Sequence, residues 1–486
     1  MIIVSITGPS MQEALQQVAS SSKYADMFEF RLDLMGRPNI AQLLSSTHRP
    51  TIATCRPEWQ GGKFTGSERE RIGMLDFAAV FGATYVDIEL GVAPSILKEF
   101  IRRKKETPVI VSHHRIDGPP SDVARIYRDL HSTGADVIKM AYVASDGYEL
   151  HHAIDFLARA TSDKRKAVAI AMGEFGEPSR ILYKKFGGWA TYASSEDGKS
   201  AAPGQLPASQ LRDPYRADRL DRKTKIFGVV VGAPMRQSKG THVHNPLFRR
   251  AKTNAVYCRF PVMDLKKFMN FVVPHVGGLS VTIPHKETIM RYLDQIDPVA
   301  KGIGAVNTVV RRGKKLIGSN TDAPAALDAI EKVMPVKGKR VFIIGAGGAA
   351  RAIAYEAKQR GAEVLITNRS LSRAIQLAKE FGLEVVKMAN VRQVKFDILV
   401  NATPIGMAPD IDESPVPKTI LRNKVVFDVV FNPPMTKLLR DARSVGAQIV
   451  QGTEMYIGQA AAQSLLYAGV KPSKAFMRKI LKMLDA

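Results

Sequence analysis

The sequence predicts an α/β protein, with an N-terminal (β/α)8 barrel followed by a two-lobed α/β unit that contains a Rossmann-type nucleotide lobe. Eight short β-branched runs alternate with helix-period segments over residues 1 to about 200, and eight such repeats indicate a (β/α)8 barrel. Further on, an apolar run at 341–344 enters the glycine-rich turn GAGG and then an Ala-rich segment. That order is typical of a phosphate-binding strand–turn–helix corner. An open doubly wound sheet is the alternative for the first half, but it would have fewer strands and a phosphate turn of its own.

The composition is that of an ordinary globular chain. Of 486 residues, 45% are hydrophobic and 24% are charged, which allows two or three domains. The two cysteines, Cys55 and Cys258, lie far apart in the sequence, which favours a reducing compartment. The chain begins MIIVSITG without a basic leader, and no apolar run approaches the length of a membrane span. We therefore expect a cytoplasmic protein with no membrane partner.

The formal net charge of +24 raises the question of nucleic-acid binding. The basic clusters, such as 219–225 and 311–315, fall at turns and in a linker and lack interleaved aromatic residues. The sequence therefore predicts no nucleic-acid partner. A positive field still favours small anionic ligands.

The predicted barrel strands end in polar residues. The strands are expected at 2–6, 27–30, 51–54, 85–88, 109–111, 137–138, 168–171 and 189–192. Because the active site of a (β/α)8 barrel forms at the C-terminal ends of its strands, the polar residues there are candidates for catalysis. These residues are Glu29, Arg31, Arg56, Glu89, His113, His114 and Lys139.

Lys139 is the candidate nucleophile of the barrel. It follows the apolar pair at 137–138, so its ammonium group is expected to be poorly solvated, which favours the neutral amine that forms a Schiff base. A structural ion pair with Glu29 or Glu89 is the alternative for this lysine alone. The convergence of several charged residues on one barrel mouth favours a site.

Motifs over residues 1 to about 215 strongly resemble type I 3-dehydroquinate dehydratases. They are EFRLD, TCRP, SHH, GADVIKMA, the Ser179-Arg180 pair and APGQ. The resemblance implies that Lys139 forms an imine with the substrate ketone, that His114 is the general base and acid, and that Glu29 helps to position His114. It also implies that Arg180 binds the substrate carboxylate, while Arg31, Arg56 and Gln205 hold substrate hydroxyls and loop geometry. Gln60 and Ala201 depart from the family pattern of an acid and a serine, and we expect altered affinity but not loss of the reaction.

A linker at 216–225 separates the barrel from a second α/β unit. This unit contains GLSVTIPHKE and a predicted β-hairpin that turns at 311–314. Lys286 and Asp322 are its candidate catalytic pair, because a lysine beside a carboxylate can exchange a proton with an alcohol while a hydride moves. An ordinary salt bridge explains the same two residues equally well.

The nucleotide turn contains Gly345, Gly347 and Gly348. Glycine at such a corner can also be required by backbone conformation alone. The next strand, 363–367, ends in Asn368 and Arg369 where an NAD site usually has an acidic residue. Arg369 suits a 2′-phosphate, so the sequence predicts NADP as the cofactor.

Residues 226–486 resemble shikimate dehydrogenases. The motifs are SVTIPHK, GAVNT, NTD, GAGGAAR, NATPIGM and QGTEMYIGQAAAQ. The resemblance implies that Lys286 and Asp322 form a catalytic dyad, and that Thr282, Asn307, Gln459 and Ser238 bind shikimate. The residues that it assigns to NADP are Gly345, Ala346, Gly347, Gly348, Ala349, Asn368, Arg369 and Thr403.

Two positions of this half depart from the family pattern. Gly240 replaces a serine and Phe431 replaces a tyrosine, so two hydrogen bonds to substrate are lost. One lost contact to a charged group costs about 1.5–3 kcal/mol, so KM could rise tenfold or more unless Lys239 or Thr241 substitutes.

The two halves together resemble the plant-type bifunctional enzyme, which catalyses consecutive steps of the shikimate pathway. The expected domains are the barrel (1–215), the linker (216–225), a shikimate lobe (226–325), an NADP lobe (326–455) and C-terminal helices that return to the shikimate lobe (456–486). A quinate-preferring dehydrogenase and a non-catalytic sensor are the alternatives, although a sensor is expected to lack Lys139, His114, Lys286 or Asp322. The histidines show no metal-ligand spacing, and the oligomeric state is left open.

Overall fold

The computed structural model describes residues 1–103, 106–232 and 239–485. The chain divides into two compact units, 1–276 and 277–486. The first contains a barrel and a short α/β segment, and the second contains a small sheet and a larger parallel sheet. The domain boundaries expected from the sequence stay predictions.

Alternating strands and helices build the barrel. Within the described part of residues 1–222, its eight parallel strands are β1 (Ile2–Ile6), β2 (Met27–Arg31), β3 (Thr51–Thr54), β4 (Tyr85–Glu89), β5 (Val109–Arg115), β6 (Val137–Val143), β7 (Lys166–Met172) and β8 (Thr191–Ala193). The helices in the same part are α1 (Met11–Ser21), α2 (Ile40–Ser45), α3 (Glu68–Val80), α4 (Pro94–Arg103), α5 (Val123–Ser132), α6 (Leu150–Ser162), α7 (Glu177–Leu182) and α8 (Ala208–Arg212).

Parallel ladders run from β7 through β1 to β8. The N–H of Trp189, which precedes β8, donates to the C=O of Ala167 on β7 at 2.8 Å. The predicted barrel is therefore confirmed. Strand β8 begins two residues later than expected, because Gly187 has a positive φ of 90° and the chain is still turning there.

The barrel interior changes from apolar to polar along each strand. On β6, Val137 belongs to the apolar core while Lys139, two residues later, is a buried charge. On β5, Ile110 is followed by Ser112 on the same face. The sequence underestimated the length of β5 because the polar run 112–115 is typical of a loop, whereas here it continues the strand towards a polar barrel mouth.

A short α/β segment completes the first unit. It comprises β9 (Lys225–Val231), α9 (Gly240–Arg250), β10 (Ala255–Pro261) and α10 (Leu265–Phe271), with β9 and β10 parallel. Arg259 on β10 donates from Nε to Oε1 of Glu177 on α7 at 3.0 Å, and the hydroxyl of Tyr215 donates to the same oxygen at 3.1 Å. Asp146 accepts the backbone N–H groups of Met263 and Asp264 at 3.2 and 2.7 Å. The carboxylates of Glu177 and Asp146 therefore hold this segment against the barrel.

The second unit begins with a small mixed sheet. Its strands are β11 (Gly278–Val281), β12 (Gln295–Ile296), β13 (Thr308–Arg312) and β14 (Lys315–Ser319), accompanied by helices α11 (Pro298–Ile303) and α12 (Asp322–Glu331). Antiparallel pairing of β13 with β14 confirms the predicted hairpin.

A parallel sheet of order β17-β16-β15-β18-β19-β20 follows. Its elements are β15 (Arg340–Ile344), α13 (Gly348–Gln359), β16 (Glu363–Thr367), α14 (Leu371–Phe381), β17 (Glu384–Val385), β18 (Ile398–Asn401), β19 (Val425–Asp428), α15 (Lys437–Ser444) and β20 (Gln448–Gln451), and the chain ends in α16 (Gly452–Ala468) and α17 (Lys474–Asp485). The predicted Rossmann-type lobe is confirmed. In the described part of the chain, no helix is long and apolar enough to cross a membrane.

The ion pair between Glu177 and Arg259 gives a testable consequence for stability. Replacing Glu177 with alanine leaves the guanidinium of Arg259, only 22% exposed, without its carboxylate. We expect the free energy of unfolding of the first unit to fall by about 3 kcal/mol. Urea unfolding followed by tryptophan fluorescence measures this, because Trp59 and Trp189 are the only tryptophans in the sequence and both lie in the barrel part of the chain.

The matched control is Asp155→Ala, which removes an exposed pair with Arg159 on α6 and should cost less than about 0.5 kcal/mol. Equal shifts of the urea midpoint in the two variants would contradict a special role for the Glu177–Arg259 pair.

Candidate active sites

A cavity of about 290 Å³ opens at the C-terminal ends of the barrel strands. Its lining includes Glu29, Arg31, Arg56, Gln60, His114, Lys139, Arg180, Tyr192, Ala201 and Gln205. The structure therefore brings together all the residues that the dehydratase resemblance implied. The volume suits a small ligand rather than a polymer.

Lys139 lies in the wall of this cavity with its ammonium group buried. Its Nζ is 3.1 Å from Oδ2 of Asp87 and 3.7 Å from Oε1 of Glu29. The same nitrogen lies 4.0 Å from the centre of the Tyr192 ring. The expected pairing with Glu29 is present, whereas Glu89 bonds to Arg56 at 2.6 Å and contacts Arg71.

Asp87 is the partner that the sequence interpretation missed. Asp87 and Glu89 are two residues apart on β4, so both point into the barrel, and this spacing was the signal that could have found Asp87. Burial tends to raise the pKa of a carboxyl group, but Arg56 and Lys139 hold the pKa of Asp87 well below its ordinary value. Conversely, burial tends to lower the pKa of Arg56, yet Asp87 and Glu89 raise it. Burial raises the pKa of Glu89, so Asp87 and Arg56 are the two members whose charged forms this cluster stabilises.

His114 lines the same cavity. Its backbone N–H donates to Oε1 of Gln60 at 2.6 Å, while its Nδ1 is buried without a hydrogen-bond partner. Burial, and then the cations Arg56 and Lys139, hold the pKa of His114 well below 6.5. The imidazole is therefore neutral at neutral pH and able to accept a proton.

Glu29 is held by two hydroxyl groups. Ser5 and Thr54 donate to its two carboxylate oxygens at 2.7 and 3.0 Å. These bonds place the carboxylate beside Lys139. Its implied action on His114 stays a prediction.

Arg180 provides a buried cation for an anionic ligand. Its two Nη atoms donate to the backbone C=O groups of Tyr192 and Pro203, each at 3.2 Å, and its Nε has no partner. Burial lowers the pKa of Arg180 to about 10, so it remains a cation at neutral pH. Since no carboxylate of the described residues bonds to it, it can receive one from a ligand.

Arg31 and Gln205 hold the loop at 201–205. Arg31 donates to the C=O of Ala201 at 3.3 Å, and the N–H of Ala201 donates to the side chain of Gln205 at 2.8 Å. Both residues therefore shape the rim of the cavity through this loop.

The second unit contains the predicted Lys–Asp pair. The Nζ of Lys286 is 2.6 Å from Oδ2 of Asp322. Asp322 begins α12, where its backbone N–H donates to Oδ1 of Asn320 at 3.0 Å. A Cβ atom added to Gly348 would lie 3.3 Å from Cδ of Lys286. The pair therefore sits beside the nucleotide turn.

Other predicted shikimate-binding residues lie near this pair in sequence or structure. Oδ1 of Asn307 accepts the N–H of Thr321 at 2.8 Å, Thr282 directly follows β11, and Gln459 is half-buried on α16. Gln463, one helical turn later, donates to the C=O of Asn307 at 3.3 Å. Ser238 lies outside the described residues.

The nucleotide turn has the conformation that its sequence predicts. Gly345 has a φ of 118°, and a Cβ there would lie 2.7 Å from the C=O of Ala402, so this position requires glycine. Gly347 precedes α13 without a side-chain cap, and a Cβ there would meet nothing within 4 Å. Open space therefore lies before the first turn of α13.

The remaining predicted nucleotide-binding residues surround this turn. Ala346 lies within it and Ala349 lies in the first turn of α13, whereas Asn368 and the exposed Arg369 follow β16. Thr403 donates its hydroxyl to Oδ1 of Asn401 at 2.6 Å, and Asn401 donates to Asp428 at 2.9 Å. In the described part of the chain, no group of three or more His, Cys, Asp or Glu residues is arranged to hold a metal ion.

Comparison with known proteins agrees with this arrangement. Three family models match in order: Type I 3-dehydroquinase over 2–222, Shikimate dehydrogenase substrate binding domain over 230–309, and Shikimate / quinate 5-dehydrogenase over 328–429. The chloroplastic bifunctional 3-dehydroquinate dehydratase/shikimate dehydrogenase of Arabidopsis thaliana is 36% identical, over 98% of this chain and 84% of that protein. The chain belongs to this bifunctional dehydratase/dehydrogenase family.

Two further relatives agree with the family. The shikimate biosynthesis protein AroDE of Chlamydia pneumoniae is 29% identical over 96% of this chain and 95% of its own length. A crystal structure of a shikimate dehydrogenase in complex with NADP+ is 38% identical, covers 55% of this chain and 98% of the solved chain, and has a TM-score of 0.52. The predicted order, with the dehydratase half first and the dehydrogenase half second, is confirmed.

The position of Gln60 leads to a prediction for the dehydratase half. A carboxylate in Gln60→Glu can accept the same N–H of His114 and adds a negative charge beside the imidazole. The charge favours the imidazolium ion and raises the pKa of His114. The low pKa of His114 should place the acid limb of kcat/KM for dehydration below pH 6.5 in the parent, and we expect this limb to move to higher pH in the variant. A pH profile measures this.

Gln60→Met is the matched control, because it removes the hydrogen bond without adding charge and should leave the limb in place. Identical limbs in the parent and in Gln60→Glu would show that His114 does not govern this profile.

Proposed function

We propose that this chain catalyses two consecutive steps. In the barrel, 3-dehydroquinate is dehydrated to 3-dehydroshikimate, and in the second unit this ketone is reduced to shikimate with NADPH. The observation that carries the proposal is that each unit holds its own set of reactive groups: Lys139, His114 and Arg180 share one cavity, while Lys286 and Asp322 lie beside the nucleotide turn.

In the barrel, the amine of Lys139 attacks the substrate ketone and forms an imine, and the oxygen leaves as water. The imine draws electrons from the adjacent carbon, which makes the proton on that carbon acidic. His114 removes this proton and then donates a proton to the hydroxyl on the next carbon, which leaves as a second water. Hydrolysis of the imine releases the product and restores the amine. Arg180 binds the substrate carboxylate throughout.

In the second unit, Lys286 and Asp322 donate a proton to the carbonyl oxygen as it becomes an alcohol. NADPH supplies the hydride when it is bound. The residues fit this cofactor, because the uncapped N–H groups at the start of α13 face open space beyond Gly347 and suit a pyrophosphate. The backbone can come close to the pyrophosphate at Gly345, Ala346, Gly348 and Ala349. Asn368 and Thr403 border the site.

Arg369 determines the preference for NADP. It is exposed at the end of β16, the strand end where an acidic residue would instead bind the ribose of NAD. A guanidinium there pairs with the 2′-phosphate.

We also propose a cytoplasmic setting. Cys55 and Cys258 are both buried and unpaired, which supports a reducing compartment. The net charge of +24 favours the small anionic substrates of both steps.

A coupled assay tests the proposal. The purified chain receives 3-dehydroquinate and NADPH, and the absorbances of the enone product and of the nicotinamide are followed together. We expect enone formation followed by NADPH consumption. Enone that accumulates without NADPH consumption would contradict the second step, and quinate with NADP+ then tests the alternative raised by Gly240 and Phe431. No enone formation would contradict the first step.

Separate loss of the two activities is a sharper prediction. Lys139→Ala removes the imine-forming amine and should abolish dehydration while leaving shikimate oxidation unchanged. Asp322→Ala should lower shikimate oxidation by roughly a hundred- to ten-thousandfold and leave dehydration unchanged. Each variant is the control for the other. Loss of both activities from a folded single variant would contradict two independent sites.

Arg369→Ala tests the cofactor assignment. Loss of a charged hydrogen bond to the 2′-phosphate is worth about 1.5–3 kcal/mol, so the KM for NADPH should rise roughly ten- to hundredfold. The KM for NADH should stay unchanged. Arg440→Ala removes an exposed arginine of α15 that pairs with Asp412, and it should alter neither value. An equal rise for both nucleotides in Arg369→Ala would rule out recognition of the 2′-phosphate.

A further inference from the structure

Among the described residues that line the barrel cavity, three buried polar atoms have no hydrogen-bond partner. They are Nδ1 of His114, Nε of Arg180 and the hydroxyl of Tyr192. The first two belong to residues with a place in the proposed dehydration. Buried polar atoms in native proteins are nearly always paired, so the unpaired hydroxyl of Tyr192 points to a partner that arrives with the ligand.

Tyr192 lies between the two groups that hold the substrate. Its side chain is 4% exposed, and its ring lies under Nζ of Lys139 at 4.0 Å. Its backbone C=O accepts from Arg180 at 3.2 Å. The ring therefore adjoins the nucleophile, and the strand that carries it adjoins the carboxylate-binding cation.

The ring and the hydroxyl of Tyr192 have separate effects. The aromatic face stabilises the cationic nitrogen of Lys139, both as ammonium and as the protonated imine that replaces it. Since Nζ sits over the ring and the hydroxyl lies at the ring edge, an oxygen on the carbon that bonds to Nζ comes within reach of that hydroxyl. A phenylalanine would supply the face but not this hydrogen bond.

We propose that the hydroxyl of Tyr192 donates a hydrogen bond to the substrate oxygen on the carbon that Lys139 attacks. As the amine adds, the C=O π electrons move onto this oxygen, and the hydrogen bond stabilises the charge that develops there. The oxygen then takes up protons and leaves as water, while Tyr192 keeps its own proton. This inference rests on the proposed role of Lys139.

The surroundings keep this phenol protonated. Burial, followed by the charges of Glu29 and Asp87, raises the pKa of Tyr192 well above 10. A group that holds its proton so strongly serves as a hydrogen-bond donor rather than as a proton source.

Tyr192→Phe tests the proposal with two readouts. We expect kcat/KM for dehydration to fall ten- to a hundredfold, and the rate at which borohydride-trapped substrate adduct accumulates on Lys139, measured by rapid quench and mass spectrometry, to fall in parallel. Tyr142→Phe is the matched control, because it removes a buried hydroxyl of the same barrel that bonds to the C=O of Glu149 and does not line the cavity. It should stay within twofold of the parent in both readouts.

The outcomes separate this inference from the proposal on which it rests. Suppose that the parent forms the adduct on Lys139, and that kcat/KM and the adduct rate of Tyr192→Phe both stay within twofold of the parent values. The role of the hydroxyl is then overturned, and the imine mechanism stands. If the parent forms no adduct on Lys139, the imine mechanism itself fails.

A second variant keeps the proposal testable if Tyr192→Phe unfolds the barrel. Incorporation of 3,5-difluorotyrosine at position 192 keeps the size of the side chain nearly unchanged and lowers the pKa of the phenol. We expect a new loss of kcat/KM at alkaline pH, because the phenolate cannot donate a hydrogen bond. The absorbance of the phenolate shows where the fluorinated side chain ionises, and pH profiles that stay superimposable with the parent through that ionisation would overturn the proposal.

Discussion

The dehydratase site depends on a network of buried charges centred on Asp87. This carboxylate bonds to Arg56 and lies 3.1 Å from Nζ of Lys139. An unpaired charge in such a place would be strongly unfavourable. Arg56 in turn bonds to Glu89, and Glu89 contacts Arg71 from α3. The chain of opposite charges lets a protein interior hold a lysine that is accessible to a small ligand but otherwise shielded from water.

The two units differ in the number of opposite charges that balance the lysine of their site. In the barrel, Arg56 and Lys139 each pair with two carboxylates, because strands from all sides converge on one small cavity. In the second unit, one carboxylate at the start of α12 balances one lysine, and both side chains are partly exposed at 16% and 11%. In the proposed reduction this pair only has to exchange one proton with substrate, so a single ion pair is sufficient. In the proposed dehydration Lys139 becomes covalently bonded to substrate, and such a lysine needs neighbours that fix its position through several intermediates.

Much of this architecture was predictable from local patterns. The barrel and the nucleotide lobe were predicted from apolar runs, the glycine turn and strand-end charges. Each of these signals is visible within a few residues of sequence. Asp87 was not identified because only the end of YVDIE, where Glu89 lies, was considered, although the two-residue spacing places Asp87 on the same face of the strand. Tyr192 was counted only as part of an apolar strand. The ion pair that links β10 to α7 joins Arg259 and Glu177, which are 82 positions apart. Local sequence patterns could not indicate this pair.

Charge balance within the cavity also supports the proposed binding of an anionic substrate. Arg56 and Lys139 are compensated by carboxylates of the protein, so neither draws strongly on a second anion. Arg180 differs, since its bonds go to backbone C=O groups and among the described residues no carboxylate neutralises it. An incoming carboxylate therefore meets one uncompensated, rigidly held cation. Because Arg180 lies on α7 while Lys139 lies on β6, the proposed binding at Arg180 would fix one end of the substrate and leave its ketone to be oriented by the residues around Lys139.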